Sequence, residues 1–320
     1  MIEIEGLTKS FGPFAAVSGI NLKVERGEVL GFLGPNGAGK STTMKMVTGY
    51  LAPSSGRVRV CGFDIEHECL GAQRKIGYLP EGVPAYGDMT PRQFLAFIAA
   101  VRGYSGAEAK RRIDEAVGKT DLDPVLDQSI DTLSKGFKRR VGLAQAVLHD
   151  PPVLIMDEPT DGLDPNQKHS VRQLLRAMAP TKAIIVSTHL LEEVEAICTR
   201  AVIIDRGRIV ADGTPSELLA RSRHHNAVTL VVPAASAPTV KARLKSVNGV
   251  ASVEEIQRSD GATELTAFPK SGALLIENVS ALAASEKWDV KELYAEPGRL
   301  DEVFRAITTH DAKRAREKRA

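Results

Sequence analysis

Three cysteines in 320 residues, at 61, 69 and 198, have neither metal-ligand spacing nor the density of a disulfide framework. Their scarcity excludes a disulfide-stapled secreted class and fits a reducing, cytosolic compartment. Long apolar runs are missing too. Runs such as "AIIV" at 183–186 and "AVII" at 201–204 have the length of buried strands. A membrane-spanning helix needs roughly 18–20 apolar residues without interruption. The first residues, "MIEIEGLTKS", lack the basic-then-apolar order of a secretory signal. An excess of one charge is lacking as well, since 42 Lys+Arg against 40 Asp+Glu leave a formal net charge of +2. No global field therefore calls for nucleic acid as a partner. The one local bias is "DAKRAREKRA" (311–320), five basic residues against two acidic. Such a run reads as a solvated end, or as a contact for anionic headgroups or an acidic partner.

Hydrophobic residues make up 43% of the chain, enough for ordinary cores, and the length suggests about two domains. Residues 1–220 alternate strand and helix signals, the grammar of an α/β domain. "EVLGFLG" (28–34), "PVLIMDEP" (152–159) and "KAIIVSTH" (182–189) read as buried strands of a parallel core sheet. "IEIEGL" (2–7), "AVSGINLKV" (16–24) and "GRVRV" (56–60) alternate, which predicts an antiparallel layer with one wet face. From about 88 to 150 helical patterns dominate, as in an all-helical insertion. After a linker at 221–226, residues 227–310 follow the order β-α-β-β-α-β, the split βαβ or ferredoxin-like pattern of an α+β domain. No catalytic constellation stands out there.

The chemistry lies in the first domain. "GPNGAGKS" (34–41) matches G-x-x-x-x-G-K-[ST] between a strand and a helix, the context that a phosphate loop requires. Its glycines let backbone N–H groups wrap phosphates, Lys40 neutralises the β- and γ-phosphates, and the Ser41 hydroxyl is placed to ligate Mg²⁺. Asp157 ends the apolar strand "VLIMD" and is placed to hold the same ion. Glu158 adds a second carboxylate whose natural task is to orient or deprotonate a water. His189 ends another buried strand, where a contact with the γ-phosphate is expected. A second anion site is suggested by "LSKGFKRR" (133–140), small residues ahead of a helix. Arg139 and Arg140 in that helix either reach phosphate or ribose or face solvent.

Together these residues resemble the nucleotide-binding subunits of ABC transporters, over about residues 1–220 and with the motifs in order. "GPNGAGKST" resembles the family's Walker A, "VLIMDEP" its Walker B, "LSKGFKRR" its signature, "TDGLDP" (160–165) its D-loop with Asp164, and His189 its switch histidine. The resemblance implies a P-loop NTPase cassette of the ABC type that binds ATP and Mg²⁺. Gly34, Pro35, Asn36, Gly37, Ala38, Gly39, Lys40, Ser41 and Thr42 would form the ATP site, with Phe11 stacked on the adenine and Phe14 as competitor. It also implies a head-to-tail pair of ATPase subunits, in which Ser134, Lys135 and Gly136 serve the other copy's nucleotide.

Two departures stand out. Lys135 and Phe137 replace the usual Gly and Gln of the signature. In "IGYLPEG" (76–82), which resembles the Q-loop, Glu81 stands where an amide is expected. Its carboxylate is placed to touch Mg²⁺ or the attacking water. "LPE" with "LSKGF" resembles a subgroup of ABC exporters whose ATPases carry a small C-terminal domain. The implied partners are a membrane-spanning permease on another chain and a second ATPase subunit, identical or similar, at the inner face of the cell membrane. Contact with the permease is expected around 82–100, where Tyr86, Met89, Phe94 and Phe97 either take part or pack the insertion's own core. The alternative, a soluble ABC-type ATPase acting on ribosomes or nucleic acid, is disfavoured by the single cassette and the near-zero net charge.

Overall fold

The computed structural model describes residues 1–270 and 273–317, with side chains through 308 in the last helix. Its contacts divide the chain into two compact units, Met1–Pro215 and a second that starts at Ser216.

In the first unit the strands are β1 (Ile2–Phe11), β2 (Phe14–Val24), β3 (Val29–Leu33), β4 (Ser55–Val60) and β5 (Phe63–Asp64). There follow β6 (Ile76–Leu79), β7 (Val153–Asp157), β8 (Ala183–Thr188), β9 (Arg200–Asp205) and β10 (Arg208–Gly213). They form a six-stranded sheet in the order β10-β9-β3-β8-β7-β6 and a four-stranded one in the order β2-β1-β4-β5. All pairs of the first are parallel except the β9–β10 hairpin, and all pairs of the second are antiparallel.

The sequence patterns carry this division. Every residue of β3, β7 and β8 is buried, as the continuous apolar runs of a two-faced parallel sheet require. Residues of β2 and β4 alternate between buried and exposed toward their C-terminal ends. The helix Lys40–Val47 touches β2, β4 and β7, and its buried Met44, Met46 and Val47 belong to one apolar cluster with residues of both sheets. Packing on both sides fixes the direction of this helix, and so the loop ahead of it.

Between β6 and β7 lie three helices, Pro91–Val101, Gly106–Thr120 and Lys135–Val147, which pack on one another. The first starts on a capping box of Thr90 with Gln93, and Pro91 takes the first helical position. The third also touches β6.

The second unit holds β11 (Val228–Pro233), β12 (Val250–Gln257), β13 (Ala262–Pro269) and β14 (Glu292–Ala295) in the order β12-β13-β11-β14, all pairs antiparallel. With helices Ala237–Ser246 and Ile276–Ser285 between them, this is split βαβ connectivity. Residues 221–226, expected as a linker, lie inside this unit: Ser222 is buried, and its Oγ bonds Glu302 and accepts from the Arg299 N–H at 3.0 Å. The final helix runs Leu300–Glu317 and so extends into the basic segment read as a tail. Residues 318–320 of that segment, and 271–272 at the start of the helical pattern 271–285, lie outside the described residues.

Candidate active site at the phosphate loop

The helix Lys40–Val47 begins without a side-chain cap; Gly39, at φ 107°, takes the N-cap position. A Cβ there would stand 2.5 Å from the Ala16 carbonyl oxygen, so the turn needs glycine. An uncapped start leaves first-turn N–H groups for a ligand. Lys40 is buried, and its Nζ donates to the carbonyls of Gly34 at 2.7 Å and Pro35 at 3.3 Å. Burial lowers the pKa of its ammonium, and Glu158, Asp157 and Glu81 offset part of that.

A cavity of about 470 Å³ opens at the loop, lined by Pro35, Asn36, Gly37, Gly39, Lys40, Ser41 and Thr42 together with Glu81, Asp157, Glu158, Phe11 and Phe14. Gly34 and Ala38 are not among its lining residues. Their work is to shape the loop: Gly34 accepts from Lys40, and the Ala38 N–H donates to the Pro35 carbonyl at 3.1 Å. Phe11 and Phe14 face each other across the β1–β2 pair, and both rings are half-exposed or more. The structure thus brings both aromatic candidates to the cavity.

Asp157 is 2% exposed at the end of β7, and its carboxylate accepts from the Ser187 hydroxyl on the neighbouring β8. Glu158 follows at φ 52°, an uncommon conformation outside glycine that lasts only where the surroundings over-determine it. Its N–H donates to the Ser187 carbonyl at 3.0 Å, and its Oε2 lies 2.9 Å from His189 Nδ1. In this structure His189 contacts Glu158 and is not among the cavity's lining residues. Glu193, four residues after His189, is fully buried, and burial raises its pKa.

The second helix start is built differently. Ser134 caps Lys135–Val147 with its own side chain, accepting from the Phe137 N–H at 3.3 Å. Ser134, Lys135 and Gly136 do not line the phosphate cavity. Lys135 Nζ bonds Asp161 of the same chain at 2.7 Å, and a Cβ on Gly136 would come within 2.5 Å of the Gln167 amide oxygen. Asp164 caps the helix Pro165–Met178, accepting from the Gln167 N–H at 2.9 Å. The signature and D-loop residues are therefore interlocked within one chain.

Both arginines find partners within the chain. Arg139 is buried and donates to backbone carbonyls, and Arg140 bonds Asp121 at 3.2 Å. The signal for Arg139 was present, since it falls three residues after the buried Gly136 on the helix's packed face. Ser187 left no such signal, because its partner Asp157 is distant in sequence. Of the four side chains near 82–100, Phe94 is core, Met89 is half-buried, and Tyr86 and Phe97 form an exposed edge-to-face pair with centroids 5.7 Å apart.

The fold and the site define a P-loop nucleoside triphosphate-binding protein with an acidic pair at a strand end. The model of the ABC transporter family matches residues 17–161. The chain is 39% identical over 223 residues to the "Probable multidrug ABC transporter ATP-binding protein YbhF" of Escherichia coli (strain K12), 69% of this chain and 38% of that protein. It is 33% identical over 316 residues to the daunorubicin/doxorubicin resistance ATP-binding protein DrrA of Streptomyces peucetius, 97% of this chain and 93% of that one. A solved ATP-binding subunit of an ABC transporter superimposes with a TM-score of 0.64 at 32% identity, covering 68% of this chain and 91% of that one. The chain belongs to the ABC transporter family, and its first unit is the family's ATP-binding cassette.

Proposed function

We propose that this chain hydrolyses MgATP as one of a pair of cassettes and thereby drives a membrane exporter. The observation that carries the reading is the pairing of Glu158 with His189 beside Asp157 at the phosphate cavity, while the Ser134 helix start stays outside that cavity. Glu158 is the base for the attacking water, and His189 steadies it and the γ-phosphate. Mg²⁺ suits the donors at hand: one hydroxyl (Ser41) and the carboxylates of Asp157 and Glu81, with phosphate and water oxygens completing the shell. Ser134 and Gly136 complete the other copy's site, and Lys135 braces that segment through Asp161.

The partner is a membrane-spanning permease. We place its contact at an open groove of about 510 Å³ in the first unit, lined by Pro84 and Ile98 of the 82–100 segment and by the exposed Tyr50, Leu70 and Val101. Export of drug-like compounds follows the relatives YbhF and DrrA. No helix of the described residues is long and apolar enough to cross a membrane. Attachment to the membrane's inner face through the permease is part of the same proposal.

Two inactive variants test the pairing. Lys40→Ala breaks the phosphate loop and Ser134→Arg the signature, and a mixed pair still contains one intact composite site. Mixing should restore ATP hydrolysis that each variant lacks alone. A mixture as inactive as its components sinks the shared-site reading. Co-purification from gently solubilised membranes should add a multi-span protein in stoichiometric amount; recovery with ribosomes or nucleic acid moves the ATPase to the soluble class.

A further inference from the structure

The backbone ladder between β6 and β7 ends at Leu79 and Met156. Pro80 has no N–H to continue it, and Glu158 leaves the strand direction at φ 52°. Two segments that both line the phosphate cavity, at Glu81 and at Asp157–Glu158, are thus without mutual backbone bonds where their position matters most. One side chain spans them. Arg139 is 5% exposed; its Nη1 donates to the carbonyls of Pro80 at 2.7 Å and Glu81 at 2.8 Å. Its Nη2 donates to the carbonyls of Asp157 and, at 2.5 Å, of Glu158.

Four carbonyls from two segments converge on one planar fork. A lysine brings a single nitrogen, and a glutamine a single amide, so neither reproduces the pattern. The Arg139 Nε is buried without a partner among the described residues, a cost that the four terminal bonds outweigh. Glu158 is consequently gripped at both ends, its N–H by the Ser187 carbonyl and its C=O by Arg139. This double grip is what its positive φ requires. The arginine also belongs to the helix that Ser134 caps, so the same fork joins the signature helix to the acidic pair.

We propose that Arg139 is a positioning residue for ATP hydrolysis: by tying the Glu81 segment to the Asp157–Glu158 carbonyls, it fixes where the Glu158 carboxylate stands in the phosphate cavity. The inference rests on Glu158 acting as the base. A displacement of about 1 Å at such a group can cost on the order of 100-fold in rate.

The test compares Arg139→Lys and Arg139→Gln in two backgrounds, the natural chain and Glu158→Gln. Single-turnover hydrolysis is normalised to the fraction that binds a fluorescent ATP analogue, whose affinity is measured alongside. In the natural background each substitution should lower the rate by about tenfold or more, with nucleotide affinity unchanged, because the phosphate loop does not depend on Arg139. In the Glu158→Gln background neither should lower the residual rate further, since the group being positioned is gone. Equal fold-losses in both backgrounds, an unchanged rate in the natural one, or loss of nucleotide binding with Lys and Gln alike would each overturn the proposal. If Glu158→Gln alone hydrolyses normally, the failure belongs instead to the assignment of the base.

Discussion

Two helices of the first unit begin at small residues, and they treat their first turns in opposite ways. The helix Lys40–Val47 opens on a glycine with no side-chain cap and keeps a buried ammonium beside the carbonyls of the loop ahead of it. The helix Lys135–Val147 opens on Ser134, which caps the turn itself, and its flanking Lys135 is tied to Asp161. A cap satisfies one of the N–H groups that an anion would otherwise take. The first start thus leaves its first-turn N–H groups without a side-chain acceptor, and the second satisfies one of its own. That asymmetry is what a primary site and an adjustable second jaw require. On the proposed function, it lets one cassette carry two helix ends that do not compete for the same nucleotide.

The sharpest way to challenge this contrast is to stop hydrolysis with ATP in place. Glu158→Gln should lower turnover by roughly 10²–10⁴-fold, the usual worth of a general base. With MgATP it should elute as a trapped pair in size-exclusion chromatography, and adding Ser134→Arg should return it to single copies. A monomer in both cases would mean that the second helix start takes no phosphate from another copy.

Next in size is a paired glycine experiment. Gly39→Ala places a Cβ against the Ala16 carbonyl at φ 107°, where neither backbone can yield. Strain of about 1–3 kcal/mol should weaken ATP binding roughly 5- to 150-fold. Gly136→Ala meets only the end of the Gln167 side chain, which can move. Its ATP affinity as a single copy should stay at the natural value. Titration with a fluorescent nucleotide separates the two, and equal losses would erase the distinction between the helix starts.

The aromatic pair comes third. A ring stacked on a base contributes about 1–3 kcal/mol, so Phe11→Ala should weaken ATP binding accordingly while Phe14→Ala leaves most of it. The reverse order would assign the stack to Phe14.

The smallest effect concerns the tie that braces the second start. The Lys135 ammonium bonds Asp161 and holds its carboxyl below the usual carboxylate range. Stability from the pair is therefore present above the ordinary Asp pKa and is lost as pH falls through the lowered folded value. Both side chains are at least half exposed, so Lys135→Ala should cost less than about 1 kcal/mol. Calorimetry should show a slightly lower Tm near neutrality, with the difference vanishing in acid. A difference that grows on acidification contradicts the pairing.

Much of the fold is legible in single segments. β3, β7 and β8 announce themselves as unbroken apolar runs because both faces of a parallel sheet are covered. β6 does not, since its four residues are too few for a pattern, and only pairing with β7 makes "IGYL" a strand. The unit boundary is hidden for a similar reason. Residues 221–226 have the composition of a linker, yet Ser222 is held by Glu302 and Arg299, residues far along the chain.

The sequence by itself determined the phosphate loop, the strand-end acids and the helix starts, because their chemistry is set by spacing along a contiguous backbone. Only the tertiary structure decided that Arg139 grips four carbonyls, that Glu158 meets His189, that Lys135 is held by Asp161, and that both phenylalanines reach one cavity. These depend on which distant segments meet, and local periodicity carries no record of a partner that lies on another strand.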